Sequence, residues 1–274
     1  MTALPLPFAA RRPSVLSELI ERQRLLALYG LATLLLAVPV LALQAIDPRT
    51  LHEVSVWVKP AKFLVSVGIF SLTAAWFWGY VTPERRRSRA LRVTAAILVA
   101  TASFELLYIL LQAGRGMDSH FNFSSPLSIA LYGLMGVAAV LLVGTTLPLA
   151  WQIVRYPARG LRGDFVAALA IGLLLTFLLG GGLGGYMSQQ AGHSVGAEGG
   201  HVPLFGWNRS GGDLRTAHFL GIHAEQAIPL LAALVAGWSA PARWAALGAG
   251  TLAYAALTIA VFLQAVAGRP LLPL

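Results

Sequence analysis

Two carboxylates, Glu105 and Glu225, stand inside long apolar stretches of this 274-residue chain. An ionisable group near the bilayer centre costs at least ~2.5 kcal/mol on insertion scales, so it normally faces a bundle interior and serves a task there. Glu105 lies eight residues before Ala113 and Glu225 nine after Thr216, each of which marks the outer end of its stretch. At 1.5 Å per residue both sit roughly 12 to 14 Å below the same boundary. Carboxylates at that depth can ligate a metal or carry protons.

The other chemistry-bearing residues gather towards the same side. His223 lies at nearly the depth of the glutamates and His218 one turn shallower, and His120 lies in the segment between the third and fourth apolar stretches. Neutral imidazole with carboxylate suits zinc, iron or copper, and one or two of these histidines could ligate haem. His218, His223 and His120 are therefore the metal candidates, with Glu105 and Glu225 as further ligands or proton carriers. His218 and His223 are five apart, about 140° around a helix, so a mononuclear site needs ligands from several helices. His52, His193 and His201 read as solvated loop residues. Lys59, Lys62, Arg115 and Arg215 are placed to recruit an anionic group; as lipid-facing side chains they would instead snorkel to the headgroups.

Spacing assigns inward faces. Thr94, Thr101, Glu105, Tyr108 and Gln112 form one helical stripe, and Lys59, Lys62, Ser66 and Thr73 another. His218, His223, Glu225 and Gln226 span an arc of roughly 160°. With Thr251, Tyr254 and Thr258, these stripes predict an outward-opening polar cavity bounded by the second, third, sixth and seventh spans. Tyr108, Gln112, Asp213 and Gln226 would contact its ligand.

The elements that must position these groups are membrane helices. The chain is 57% hydrophobic and 11% charged, with a mean hydropathy of +0.71, a composition that an ordinary water-soluble domain cannot expose. A spanning helix needs about 20 apolar residues. Seven windows reach or approach that length: Leu25 to Ile46, Phe63 to Val81, Val93 to Ala113, Leu127 to Val154, Phe165 to Met187, Thr216 to Trp238 and Trp244 to Val266. They lack the alternation of barrel strands. The reading is an all-α polytopic membrane protein, a seven-transmembrane-helix bundle over residues 25–266, with a cytoplasmic amphipathic segment over 1–24 and a short tail over 267–274.

Thirteen of the twenty Lys and Arg residues fall in the N-terminal segment and in the second, fourth and sixth connections. The positive-inside rule then puts the N-terminus in the cytoplasm and the C-terminus in the periplasm. The net charge of +9 is mostly this topology signal, not a nucleic-acid surface. Arg11 and Arg12 resemble a twin-arginine signal, but Glu18, Glu21 and Arg22 occupy the place of its apolar core. An amphipathic surface helix capped by Ser14 fits better. Abundant Ala, Leu, Gly and Arg with only two lysines suggests a bacterial source, hence a multi-pass protein of the inner membrane.

Residues 188–215 form the one long connection, rich in glycine, and read either as a floppy loop or as a lid anchored by Trp207. Gly172, Thr176, Gly180 and Gly184 recur every four residues, a smooth face for helix packing or, less simply, for a planar cofactor. Asn122 and Asn208 begin formal glycosylation sequons. Cysteine is absent, which removes disulfides and thiolate chemistry. Ser125 before Pro126 reads as a helix cap, not a nucleophile. No dinucleotide, phosphate-loop or nucleophile-elbow motif occurs, and the seventh span has no retinal-type lysine.

These features lead to an outward-facing cavity that binds a metal ion (zinc, copper or iron) or haem and supports redox or hydrolytic chemistry on a small or lipophilic substrate. The alternative is a proton-coupled small-solute transporter using Glu105 and Glu225. A third reading is a non-catalytic subunit of a membrane complex, its protein partners unknown.

Overall fold

The computed structural model describes residues 14–202 and 205–273. Arg11 and Arg12, and with them most of the 1–24 segment, lie outside the described residues. The chain is a mostly helical, polytopic membrane protein with, among the described residues, six helices long and apolar enough to cross a bilayer: Arg24–Ile46, Val58–Trp78, Arg89–Gly114, Pro126–Arg155, Gly163–Ser188 and Ala240–Val266.

In chain order, α1 (Val15–Arg22) precedes α2 (Arg24–Ile46), and a two-stranded hairpin of β1 (Thr50–Leu51) and β2 (Val54–Ser55) leads into α3 (Val58–Trp78). A short α4 (Pro83–Arg86) precedes α5 (Arg89–Gly114), and the fourth span bends at Thr145 into α6 (Pro126–Gly144) and α7 (Thr146–Arg155). The fifth comprises α8 (Gly163–Leu175), a π-helical turn over Thr176–Gly181, and α9 (Gly182–Ser188). Strands β3 (Ser194–Val195) and β4 (Gly212–Asp213) pair antiparallel before α10 (Leu214–Ile222), α11 (Ala224–Leu234) and α12 (Ala240–Val266).

Local chemistry sets the helix ends. Ser14 accepts a hydrogen bond from Ser17 N at 3.1 Å, and Ser125 one from Ser128 N at 3.1 Å with Pro126 opening the helix, so both expected caps are present. Helix α1 is tied to the end of α3, because Arg22 donates to the Trp76 carbonyl at 2.7 Å and lies 4.0 Å from the centroid of that indole.

Two packed groups make up the bundle. In one, α2, α3, α5 and α7 share an apolar core that includes Leu26, Trp78, Leu91, Leu98 and Ile153 and reaches Leu169 and Leu173 of α8. In the other, α8, α11 and α12 close around Ala168, Ile228, Ala232 and Leu247. Glycines permit backbone contact inside each group: a Cβ on Gly30 would lie 2.9 Å from Gly68 O, and one on Gly172 would lie 2.9 Å from Ala224 O. The four-residue glycine repeat is therefore a helix-packing face. Ala224, Ile222 and His218 fill the space that a planar cofactor would need.

The expected sixth span, Thr216 to Trp238, is not one helix. It divides at His223 into α10 and α11, so six continuous spans replace the seven expected. The physical reason lies in partners outside the helix. Glu225 N donates to Thr176 Oγ1 at 3.0 Å, and Leu220 O accepts from Tyr254 Oη at 2.6 Å. Thr176 Oγ1 also reaches Ile222 O at 3.4 Å, and Pro229 lacks the N–H that would have bonded Glu225 O. Opposite this break stands the π turn, whose Gly180 carbonyl accepts from His218 Nδ1 at 2.9 Å. The pair α10 and α11 nonetheless runs alongside α8 and α9: β4 at the start of α10 pairs with β3 beyond α9, and Arg162 at the start of α8 donates to Ala232 O in α11.

The closest approach in this region is Gly221, where a Cβ would meet Gly180 N at 2.6 Å and Leu179 C at 2.7 Å. Because both neighbours are backbone, Gly221→Ala is expected to destabilise the bundle by about 1–3 kcal/mol. Thermal unfolding in detergent measures this, and an unchanged midpoint would show that the break is not closely packed.

Candidate functional site

At the N-terminal end of α3 the cations converge. Lys59 Nζ lies 3.0 Å from His120 Nδ1, and Ser119 Oγ lies 3.2 Å from the same nitrogen. Lys62 Nζ donates to Phe205 O at 2.9 Å, while Arg215 Nη2 donates to Gly206 O at 2.6 Å. Lys62, Arg215, Asp118 and Glu105 all lie near enough to Lys59 for their charges to act on it. Burial holds His120 well below the ordinary imidazole range, and the neighbouring Lys59 charge pushes the same way. A neutral His120 then offers Nδ1 as a lone-pair acceptor, which fits a bond from the lysine ammonium.

The described residues of the 188–215 connection are held by local hydrogen bonds. Beyond the β3 and β4 pair, Asn208 donates to Ala197 O at 2.8 Å and accepts from Ser210 N at 3.0 Å. Asp213, 1% exposed, caps α10: it accepts from Arg215 N at 3.0 Å, from Asn208 N at 2.9 Å and from the Arg215 guanidinium. Burial raises the Asp213 carboxyl, but the Arg215 hydrogen bonds and charge outweigh it and leave the group below its ordinary range. Asn208 and Asn122 are 3% and 7% exposed with their amides engaged, so both sequons are turn-forming sequence and not free acceptors.

Deeper in the membrane the two glutamates occupy different settings. Glu105 is 4% exposed, and its Oε1 has no hydrogen-bond partner. Tyr108 Oη, one turn away, is equally unpartnered. Glu225 Oε1 accepts from Gln226 Nε2 at 2.8 Å, and the same amide nitrogen donates to Thr73 Oγ1 of α3 at 3.1 Å. Gln226 Oε1 lies 3.2 Å from His223 Nδ1. Among the described residues no bond joins Glu105 to Glu225. Beside Thr73 and Gln226, a groove of about 450 Å³ runs between α3 and α8/α11, lined by Leu72, Trp76, Phe77, Tyr80, Phe165 and Leu230 among others.

The proposed metal set does not assemble. Among the described residues no three His, Asp or Glu side chains come together in a way that could hold an ion. His218 lies against Gly184 and spends Nδ1 on the carbonyl freed by the π turn, His223 turns to Gln226, and His120 belongs to the Lys59 cluster. Other expected ligand-binding residues have structural partners. Gln112 donates to Asp118 O at 3.0 Å and accepts from Arg115 Nη1 at 3.2 Å, shaping the 115–122 loop. Tyr254 of α12 is spent on Leu220 O and Thr258 on Tyr254 O, so the seventh-span stripe supports the break and is no wall of an open cavity. His193, read as a solvated loop residue, is half-buried among Arg215, Asp213 and Glu198.

No protein-family model matches this chain, and no curated protein and no solved structure is detectably similar to it.

Burial, seconded by the Arg215 charge, lowers His193 from 6.5 to about 4. Between these values the unfolded chain binds a proton that the folded chain does not, so stability rises with pH across the window and is lost as pH falls from 6.5 towards 4. His193→Gln is expected to flatten that segment of the curve of melting temperature against pH. An identical slope in the variant would show that His193 is not its source.

Proposed function

We propose that this protein is a proton-coupled carrier of small solutes in the bacterial inner membrane. The broken helix α10 and α11 acts as a seventh crossing, the N-terminus lies in the cytoplasm and the C-terminus in the periplasm. The Lys and Arg distribution supports this orientation. So does the ion pair that Arg243, in the first turn of α12, makes with Asp164 at the start of α8 at 3.1 Å, on the side of the other arginine-rich connections.

The observation that carries the reading is the Gln226 bridge. Its amide ties Thr73 on α3 to Glu225 on α11, between the cationic outer mouth and the groove that opens towards the cytoplasm. Discontinuous helices at mid-membrane are where secondary transporters place their sites, since irregular backbone is tolerated only when it is buried or lines a cavity. A hydrogen bond to an ionised carboxylate is about twice as strong as one to a neutral acceptor. Protonation of Glu225 therefore loosens its hold on the Gln226 side chain, whose amide nitrogen also bonds Thr73 of α3. Glu105, with an oxygen free and Lys59 above it, is the second proton carrier, loaded from the outer mouth.

Pyranine-loaded proteoliposomes test this against a panel of carboxylates, sugars, amines and amino acids. Some member of the panel is expected to drive proton movement in wild-type vesicles, and Glu105→Gln or Glu225→Gln to reduce that movement at least tenfold. Silence across the panel, or full activity in both variants, would retire the carrier reading.

A further inference from the structure

The outer mouth also indicates what kind of solute enters, an inference that rests on the carrier reading for its biological meaning but not for its test. Lys59 and Lys62 stand one turn apart on α3, and among the described residues neither makes an ion pair. Their hydrogen-bond partners are uncharged in this setting: His120 for Lys59 and the Phe205 carbonyl for Lys62. Arg215 holds Asp213 and gives its remaining bond to the Gly206 carbonyl. Two consecutive backbone carbonyls thus occupy the positions facing Lys62 and Arg215 that two oxygens of an anion would fill more strongly, because a full charge makes the better acceptor for these cations.

Apart from the carboxylates near them, Asp118 and Glu105 by Lys59 and Asp213 by Lys62 and Arg215, what lies beside the cations is apolar and aromatic. Arg215, Phe219 and His223 follow at four-residue intervals, one face of the helix that descends from the mouth. Phe205 stacks on Trp207 at 4.5 Å between centroids, Trp207 meets Phe219 at 5.5 Å, and Phe219 meets His223 at 4.3 Å. This series of rings leads from the cations to Gln226, which His223 touches. Inorganic phosphate or sulfate has nothing to offer such rings, whereas a carboxylate on an apolar body matches both halves of the surface. We propose that Lys59, Lys62 and Arg215 form the entry site for a small organic carboxylate, whose charged end replaces the Phe205 and Gly206 carbonyls and whose apolar body lies along Phe219.

Equilibrium binding to the full chain in detergent tests the proposal, read as the shift in unfolding temperature at constant ionic strength with benzoate, acetate, phosphate and chloride as probes. Benzoate is expected to stabilise the protein saturably, with half-saturation at least tenfold below that of acetate, while phosphate does no more than chloride. Lys59→Gln is expected to weaken benzoate binding at least tenfold and Lys59→Arg to restore most of it, which separates lost charge from a misfolded variant. Phe219→Ala should narrow the gap between benzoate and acetate. Equal responses to all four probes, a response to phosphate alone, or undiminished binding in Lys59→Gln would each overturn it. Because no gradient is applied, benzoate binding without proton-coupled flux would remove the carrier reading and leave the anion site standing. Coupled flux of another solute class without benzoate binding would do the reverse.

Discussion

A lipid bilayer offers no water to backbone N–H and C=O groups, and the rest of the structure depends on how the chain meets that demand where its helices are irregular. Two irregularities lie face to face. The π turn over Thr176–Gly181 frees a carbonyl, and the break at His223 frees donors and acceptors on α10 and α11. Each is satisfied largely from a neighbouring helix: Thr176 serves Glu225 N, Tyr254 serves Leu220 O, and His218 serves Gly180 O. Gly221 and Gly180 allow the backbones to come close enough for this exchange. Removing either irregularity would strand groups belonging to the other.

This constraint decides how the polar residues divide. A buried hydrogen-bonding side chain is costly in the membrane, so most of those present are already occupied in holding unusual backbone. His218, Thr176, Tyr254 and Gln112 are of this kind. What remains after that subtraction includes the Lys59, Lys62 and Arg215 mouth, the Thr73, Gln226 and Glu225 bridge, and buried oxygens of Glu105, Tyr108, Ser71, Gln152 and Thr251 that have no partner among the described residues. The subtraction also shows why a histidine count overstates metal chemistry here, since its strongest candidate ligand is spent on the π-turn carbonyl.

Helix positions were legible because they follow from apolar length, and the window Leu25 to Ile46 differs from α2 by a single residue. The second window began at Phe63 instead of Val58, because Lys59 and Lys62 lower local hydropathy although Pro60 and the chain geometry already place them in the helix. The stripes on α3 and α5 were readable from period alone. The division of the sixth stretch was not, since the donors that replace its lost bonds come from Thr176 and Tyr254, remote in sequence and ordinary in type. The structured 188–215 connection was equally hidden: its order comes from Asn208 and Asp213 side chains bonding local backbone, a pattern that glycine content disguises as looseness. His193 gave no sequence signal, because its setting depends on where β3 meets β4.

The two packed groups meet along a seam that is apolar in one part and polar in another. Within each group, apolar cores and glycine contacts hold helix to helix, as at Gly30 against Gly68 and Gly172 against Ala224. Across the seam, the first apolar core reaches Leu169 and Leu173 of α8, and at the depth of Glu225 Gln226 Nε2 donates to Thr73 Oγ1 of α3. Side-chain hydrogen bonds between membrane helices average about 0.6 kcal/mol and reach about 1.7. Losing the Gln226–Thr73 bond alone therefore costs on the order of 0.6–1.7 kcal/mol, less than the apolar contacts at Leu169 and Leu173 contribute beside it. Glu225 neighbours Gln226 on α11 and shares its amide nitrogen, so any change at that carboxylate reaches α3 only through Gln226.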